Sequence, residues 1–197
     1  MKQILIPTDF SENSQNALRY AVEYFKGIPV NFYLLHVSPQ SNPPIAEELL
    51  ESPENPQSGI SQNLLHKLKE TAKNCQILTP NPLHKFHCIL EKVSLVEAIR
   101  KQVTEKEIDC ILMGTKGASN IENREIGSNT AEVITKVKCP VLVIPERAKF
   151  RGMKNIAFPT DYNCIYKNKV VNTLSDTLKL HHANLRIVNT KPPEGNL

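Results

Sequence analysis

The chain has 197 residues, 40% hydrophobic and 22% charged, with 24 Lys+Arg against 20 Asp+Glu and a formal net charge of +4. That composition suits a globular protein with room for one well-buried domain of about 150 residues and a remainder. So mild a charge, with no basic run, gives nucleic-acid binding no support; no apolar stretch nears the roughly 20 residues of a membrane helix, and the N-terminus has no signal-peptide pattern.

Residues 3–7 (QILIP) form a short apolar run that predicts a buried strand. Ser11 or Asn13 can cap the helix that follows, in which Ala17, Leu18, Ala21, Val22 and Phe25 share a face and Gly27 is a plausible stop. Residues 30–37 (VNFYLLHV) are the second strand. The stretch 38–58 carries Pro39, Pro43, Pro44, Pro53 and Pro56 and reads as an irregular loop. A helix follows with Leu64, Leu65, Leu68 and Ala72 on one side, then strand three (84–90), then a helix marked by Leu95, Val96, Ile99 and Val103. Residues 110–114 (CILMG) are strand four, a helix runs from about Ser128 to Lys136, and PVLVIP (140–145) is strand five. Short apolar strands alternating with helices predict an α/β fold, a doubly wound five-stranded parallel sheet. Ligands of such sheets bind beyond the carboxyl ends of the strands, so the residues after each strand are where chemistry is expected.

The opening MKQILIPTDF recurs as MKNIAFPTDY at 153–162. A helical pattern follows over 163–180, and ANLRIVN (183–189) matches VNFYLLH (30–36) with the separation grown by one residue. The domains expected are therefore 1–147, a linker at 148–152, and an incomplete second repeat, βαβ only, at 153–197. About 45 residues build little core of their own. The second copy is expected either to dock on the first domain or on a partner chain, or to be what remains of a longer protein, and the second is favoured because the ending does not resemble a cap.

The most informative stretch is MGTKGASNIENREIGSNT (113–130), in which Gly114, Gly117 and Gly127 obey G-x2-G-x9-G with Ser128 next. Glycines, Gly127 among them, permit positive φ and let a ligand approach the backbone, successive N–H groups make an anion-binding concavity, and the helix after Ser128 aims its N-terminus at the same place. Ser128 and Thr130 add hydroxyl donors and Asn129 an amide. The loop lacks G-K-[ST], and its spacing is not that of a dinucleotide fingerprint. By itself it is also readable as a glycine-rich turn with an N-cap. Asp9, closing strand one in PTD (7–9), can accept from a ribose or cap the next helix, and Val37 can lie along a purine or pack in the core.

Taken together, ILIPTDFS, LLHV, DCILMGTKG, the loop spacing and CPVLVIP resemble the universal stress protein family over residues 1–146. The resemblance implies a cytoplasmic stress-response domain with the adenine nucleotide alpha hydrolase-like fold, often dimeric through its last strand. Family members with the full loop bind ATP. Carried over, Pro7, Thr8, Asp9 and Val37 line adenine and ribose, while Met113, Gly114, Gly117, Gly127, Ser128, Asn129 and Thr130 hold the rest of the nucleotide, with Mg²⁺ a candidate companion. Glu125 departs from the apolar residue common in the family there; facing solvent, repelling phosphate and holding a cation all stay open. Many members are tandem, of roughly 300 residues. The second copy keeps Pro159, Thr160 and Asp161, has no phosphate loop, and places Thr190 where Val37 stands.

His84, His87 and Cys88 do not read as a metal site, because the two histidines have opposite parity along a strand. His181 and His182 are expected to face solvent, and Lys116, inside the loop, either reaches a phosphate or is solvated, the second being favoured. No C-x-x-C occurs, and Cys88, Cys110 and Cys139 read as small buried hydrophobes in a reducing cytoplasm. No nucleophile–base arrangement is evident. The favoured function is an ATP-binding regulatory module whose occupancy biases dimerisation or partner docking. The alternatives are a slow ATPase or self-phosphorylating protein, and a nucleotide-free module pairing through strand 140–145.

Overall fold

The first fifteen residues of the chain already show how the site is positioned: a strand, a sharp turn and a capped helix. β1 (Lys2–Pro7) is followed by Thr8, and the chain turns through Phe10 at φ 63° into α1 (Glu12–Tyr24). Ser11 is the N-cap; its Oγ accepts from the Ser14 N–H at 3.2 Å, which satisfies one of the orphan donors of the first turn. Ala17, Leu18, Ala21 and Val22 are buried, as their spacing predicts. The computed structural model describes residues 1–38, 56–115, 126–162 and 165–189. The chain divides into two compact units, Met1–Lys149 and Phe150–Leu197.

The first unit continues with β2 (Val30–Val37), α2 (Pro56–Leu78), β3 (His84–Glu91), α3 (Leu95–Glu105), β4 (Cys110–Gly114), α4 (Ser128–Lys136) and β5 (Val141–Ile144). The strands form one parallel sheet in the order β3-β2-β1-β4-β5, with Ile4 opposite Phe32 and Cys110, Phe32 opposite Phe86, and Leu112 opposite Leu142. Alternation sorts the core. Leu5, Leu35, Ile111 and Met113 cluster with Val96 and Ile99 of α3 and Val133 of α4. Ile4, Ile6, Phe32 and Leu34 point to the opposite face and are equally excluded from water. The order reverses between β1 and β4, so the crevice for a ligand opens at the carboxyl ends of those strands.

Several expectations shift. α1 stops at Tyr24, with Phe25 as its C-cap at φ −100°, so Gly27 lies beyond the helix and is not a left-handed cap. α2 begins at Pro56, inside the stretch read as loop; a proline is accommodated in the first turn, where its missing N–H has no helical partner to lose. β5 is trimmed to four residues between Pro140 and Pro145. The histidines behave as parity predicts. His84 is buried, its Nε2 in contact with the Phe25 carbonyl at 3.1 Å, while His87 is exposed and stacks on Tyr33 with centroids 4.9 Å apart. Cys75 and Cys139 are buried; Cys88 and Cys110 are partly buried, and burial pushes the Cys110 thiol up to about 12. Cys164 lies outside the described residues.

The second unit is a βαβ unit, β6 (Asn155–Thr160), α5 (Asn168–His181) and β7 (Asn184–Asn189), with β6 and β7 parallel. Pairing Ile156 with Leu185 reproduces the pairing of Ile4 with Phe32. β6 and β7 start one residue later than expected, and the helix later still, at Asn168. His182 ends α5 in the left-handed region at φ 51°. His181 departs from the solvent-facing expectation: it is half-buried, its ring is 5.2 Å from that of Phe150, and burial lowers its pKa.

Candidate functional site

At the carboxyl end of the first sheet lies a cleft of about 320 Å³. Its floor comes from strand ends: Pro7 closing β1 and Thr8 after it, Val37 at the end of β2, Met113 and Gly114 at the end of β4. Asp9 stands at its rim, and Asn129 and Thr130 enter from the first turn of α4. Gly127 and Ser128 precede them as N-cap and first helical residue. Gly117, Lys116 and Glu125 lie outside the described residues, as does Thr190.

Thr8 is buried and fully employed. Its N–H donates to the Leu35 carbonyl at 2.8 Å, its Oγ1 accepts from the Phe10 N–H at 3.1 Å, and it shares a hydrogen bond of 3.0 Å with Ser14 Oγ. This hydroxyl therefore builds the turn that the left-handed Phe10 requires. Asp9 is exposed; its Oδ1 accepts from both the N–H and the Oγ of Ser11, at 3.0 and 2.6 Å. The N-cap of α1 is Ser11, so Asp9 supports the cap rather than acting as it.

Gly114 is a glycine for a reason internal to the protein. A Cβ there would stand 2.9 Å from Cγ and Oδ1 of Asn13, so α1 approaches β4 too closely for a side chain. Thr130 is also committed: its buried hydroxyl donates to the Gly114 carbonyl at 2.8 Å, pinning the start of α4 to the end of β4. The expectation that it offers a hydroxyl donor to a ligand is corrected by that bond. A second correction concerns Gly127. It adopts φ −67° and ψ 156°, extended backbone open to any residue, so nothing there calls for a positive φ. Its N–H donates to the Thr115 carbonyl.

Three helix N-termini, those of α1, α3 and α4, border the cleft, and they differ. α1 has Ser11 and α3 has Ser94 as N-caps, each accepting from the N–H three residues on. α4 has Gly127, which carries no side chain to do so. Its first-turn N–H groups keep their capacity for an anion, and Ser128 and Asn129 beside them are exposed. No acidic residue sits in the first turn of α4, whereas Glu12 and Glu97 occupy those of α1 and α3.

The cleft also takes in Ser14, His36, Val93, Ser94 and Leu95, which the sequence argument did not single out. The last three follow β3, and the rule that residues after a strand border the crevice would have found them. Val37, Val93 and Leu95 form an apolar wall packed on the core beneath α3.

A sequence profile described as the universal stress protein family matches residues 1–145. Universal stress protein MJ0577 of Methanocaldococcus jannaschii is 31% identical over 158 residues, spanning 74% of this chain and 96% of that one. Its solved structure superposes with a TM-score of 0.58 at 28% identity, covering 75% of this chain and 98% of that one. A universal stress protein family protein of Arabidopsis thaliana, solved with AMP bound, superposes with a TM-score of 0.51 at 16% identity over 75% of this chain and 94% of that one. A universal stress protein of Archaeoglobus fulgidus covers 98% of this chain with 67% of its own, at a TM-score of 0.64 and 18% identity.

Proposed function

The chain belongs to the universal stress protein family, and we propose that its first unit is a cytoplasmic regulatory module that binds ATP in the cleft beyond β1 and β4. The observation that carries this reading is the uncapped start of α4, an anion-ready helix end facing a cleft whose other two helix ends are capped by their own serines. The apolar wall of Val37, Val93 and Leu95 suits a purine, and Asp9 is placed at the rim as an acceptor for ribose hydroxyls. The phosphates fall to the Gly127–Thr130 turn, with Gly117 in the same loop motif. The bound AMP of the Arabidopsis thaliana protein belongs to that protein; it is consistent with the ligand class proposed here. Where Mg²⁺ accompanies the nucleotide, Glu125 or Asp9 would supply the carboxylate, Asp9 being the one that lines the cleft among the described residues.

Binding needs no catalytic base, and the occupied cleft biases association. β5 is the edge of the sheet, and Val141, Leu142 and Val143 on it are only half-buried, which suits pairing with a second copy. The second unit repeats the βαβ with which the first unit begins, without a phosphate loop in its sequence.

The test is to denature purified protein, identify any released nucleotide by chromatography and mass, and titrate emptied protein with ATP by calorimetry. Stoichiometric binding is expected. Gly127→Val, which places a branched side chain among the first-turn N–H groups of α4 in a backbone region valine readily adopts, should weaken ATP at least tenfold, about 1.4 kcal/mol, with the fold intact. Empty protein that ignores ATP, or an unchanged affinity in the variant, overturns the reading.

A further inference from the structure

The second unit exposes apolar side chains that the first unit buries. In the first unit Phe32 and Leu34 of β2 are fully buried, and α2 packs over β2 and β3 with its own Leu68 and Ala72 buried. The register places Leu185 and Ile187 of β7 at the matching positions, because Leu185 pairs with Ile156 as Phe32 pairs with Ile4. Those two side chains are 37% and 58% exposed, and Val170 and Val171 of α5 are exposed as well. Among the described residues of this unit there is one helix, α5, and it leaves them in water.

The shape of this face selects a helix. Phe158, the register partner of Ile187, meets the Tyr166 ring at 4.9 Å just ahead of α5, so α5 lies on the same face of the sheet as Leu185 and Ile187. A helix is a rod about 10 Å across. The two side chains sit at the foot of the step it makes, out of reach of a flat bilayer and open to a second rod. A strand added to the free edge of β7 would satisfy backbone groups but leave uncovered the side chains that point out of the sheet. The charge selects the polar side of that rod. Residues 150–197 carry seven Lys+Arg against three Asp+Glu, a net +4 that equals the net charge of the whole chain, so the first 149 residues are neutral. A second copy brings the same charge against itself, whereas an acidic partner meets its complement.

We propose that this face of the second unit is a docking site for an amphipathic helix of another protein, its apolar stripe on Leu185 and Ile187 beside α5 and its polar face acidic. The mode is helix-in-groove recognition, and it does not depend on the nucleotide site.

The probes are two labelled, terminally blocked peptides titrated into the full-length protein by fluorescence anisotropy. One has the sequence of residues 56–78, this chain's own α2, whose Lys67, Lys69 and Lys73 against Glu70 give a net +2. The other carries Lys67→Glu, Lys69→Glu and Lys73→Glu, exchanges of exposed residues that keep the apolar stripe and reverse the net charge. Both carry Cys75→Ala against oxidation. The acidic peptide is expected to bind roughly tenfold more tightly than the basic one, and to weaken as salt rises. Ile187→Asp should weaken it roughly tenfold, while Val188→Asp, one residue on and so on the opposite face of the same strand, should leave it within about twofold. Equal binding of the two peptides, no binding of the acidic one, or equal effects of the two variants overturns the proposal. So does self-association of the protein alone that Ile187→Asp abolishes, which would give this face to a second copy.

Discussion

The chain contains the same turn twice, and the two copies have been put to different uses. In each, a proline-threonine-aspartate run leaves a strand and the next residue, Phe10 or Tyr162, takes a left-handed φ of 63° or 62°. In each, the threonine Oγ1 accepts from that residue's N–H, at 3.1 and 3.0 Å. The third partner differs. Ser14 meets Thr8 in the first copy, and Tyr166, six residues after its threonine as Ser14 is, meets Thr160 in the second at 2.8 Å. Ser14 is small and borders a cleft, whereas the Tyr166 ring packs edge-on against Phe158 at 4.9 Å. The surroundings differ as well. Leu5 and Leu35 are fully buried beneath α3 and α4, while their counterparts are Ala157, exposed, and Val188, 46% exposed. Backbone geometry, then, is local and travels with the motif; a core and a ligand site need the strands and helices that follow.

The largest effect should come from the core half of that contrast. Leu35→Ala is expected to cost about 3 kcal/mol in denaturant unfolding, a transfer loss plus a cavity. Val188→Ala, at the matching register position in water, should cost less than about 0.5 kcal/mol. Comparable losses at both sites would mean that the second copy is covered in solution. Next comes the exchange of the turn partners. Ser14→Tyr imports the residue of the second copy into the first and should weaken ATP more than tenfold, over about 1.4 kcal/mol, with near-UV and far-UV circular dichroism retained. Ser14→Ala, which removes the hydroxyl and fills nothing, should leave ATP within about threefold. If the tyrosine variant binds normally, the cleft beside Thr8 is not where the nucleotide lies.

Gly114 tests the same contrast through its neighbour. Asn13 is 7% exposed and abuts Gly114; the corresponding Ile165 of the second copy is 100% exposed, with no third strand beside β6 among the described residues. Gly114→Ala should destabilise by about 1–2 kcal/mol, because its Cβ meets a branch of Asn13 that has little room to move. Adding Asn13→Ala should recover part of that loss, a coupling that a thermodynamic cycle reads directly. Strict additivity would show that glycine is required there for some other reason.

Much of the fold was legible because its determinants are local. Strand runs such as ILIP, the Ala17–Val22 face and the repeat of the opening motif each signal through neighbours in sequence. The register of β6 on β7, displaced by the one residue that the repeat suggested, follows from the same source. What was missed depends on partners far along the chain. That Thr130 spends its hydroxyl on Gly114, and that Gly114 yields space to Asn13, require three elements to be assembled first. Residue type alone suggests a positive φ at Gly127, and the extended backbone found there shows that a glycine can serve by what it lacks, a capping side chain, rather than by how it bends. His36 carries no mark in sequence of the cleft it borders, whereas Val93–Leu95 follow β3 and lie within reach of the rule that residues after a strand line the crevice.

The smallest expected effect concerns the helix starts of the two copies. α1 is capped by Ser11, whose Oγ accepts from Ser14 N–H; α5 begins after Lys167, which makes no side-chain capping bond and places a cation at the positive end of the helix. Ser11→Ala should destabilise the first unit by about 1 kcal/mol, and Lys167→Ser should stabilise the second by about 0.5 kcal/mol. Amide hydrogen exchange can assign each change to its own helix: protection should fall along α1 in the first variant and rise along α5 in the second. A rise in α5 would show that this unit, exposed as its strands are, is a folded element whose stability responds to ordinary helix chemistry. No change would mean that α5 already frays past its first turn, so that the cap has nothing to hold.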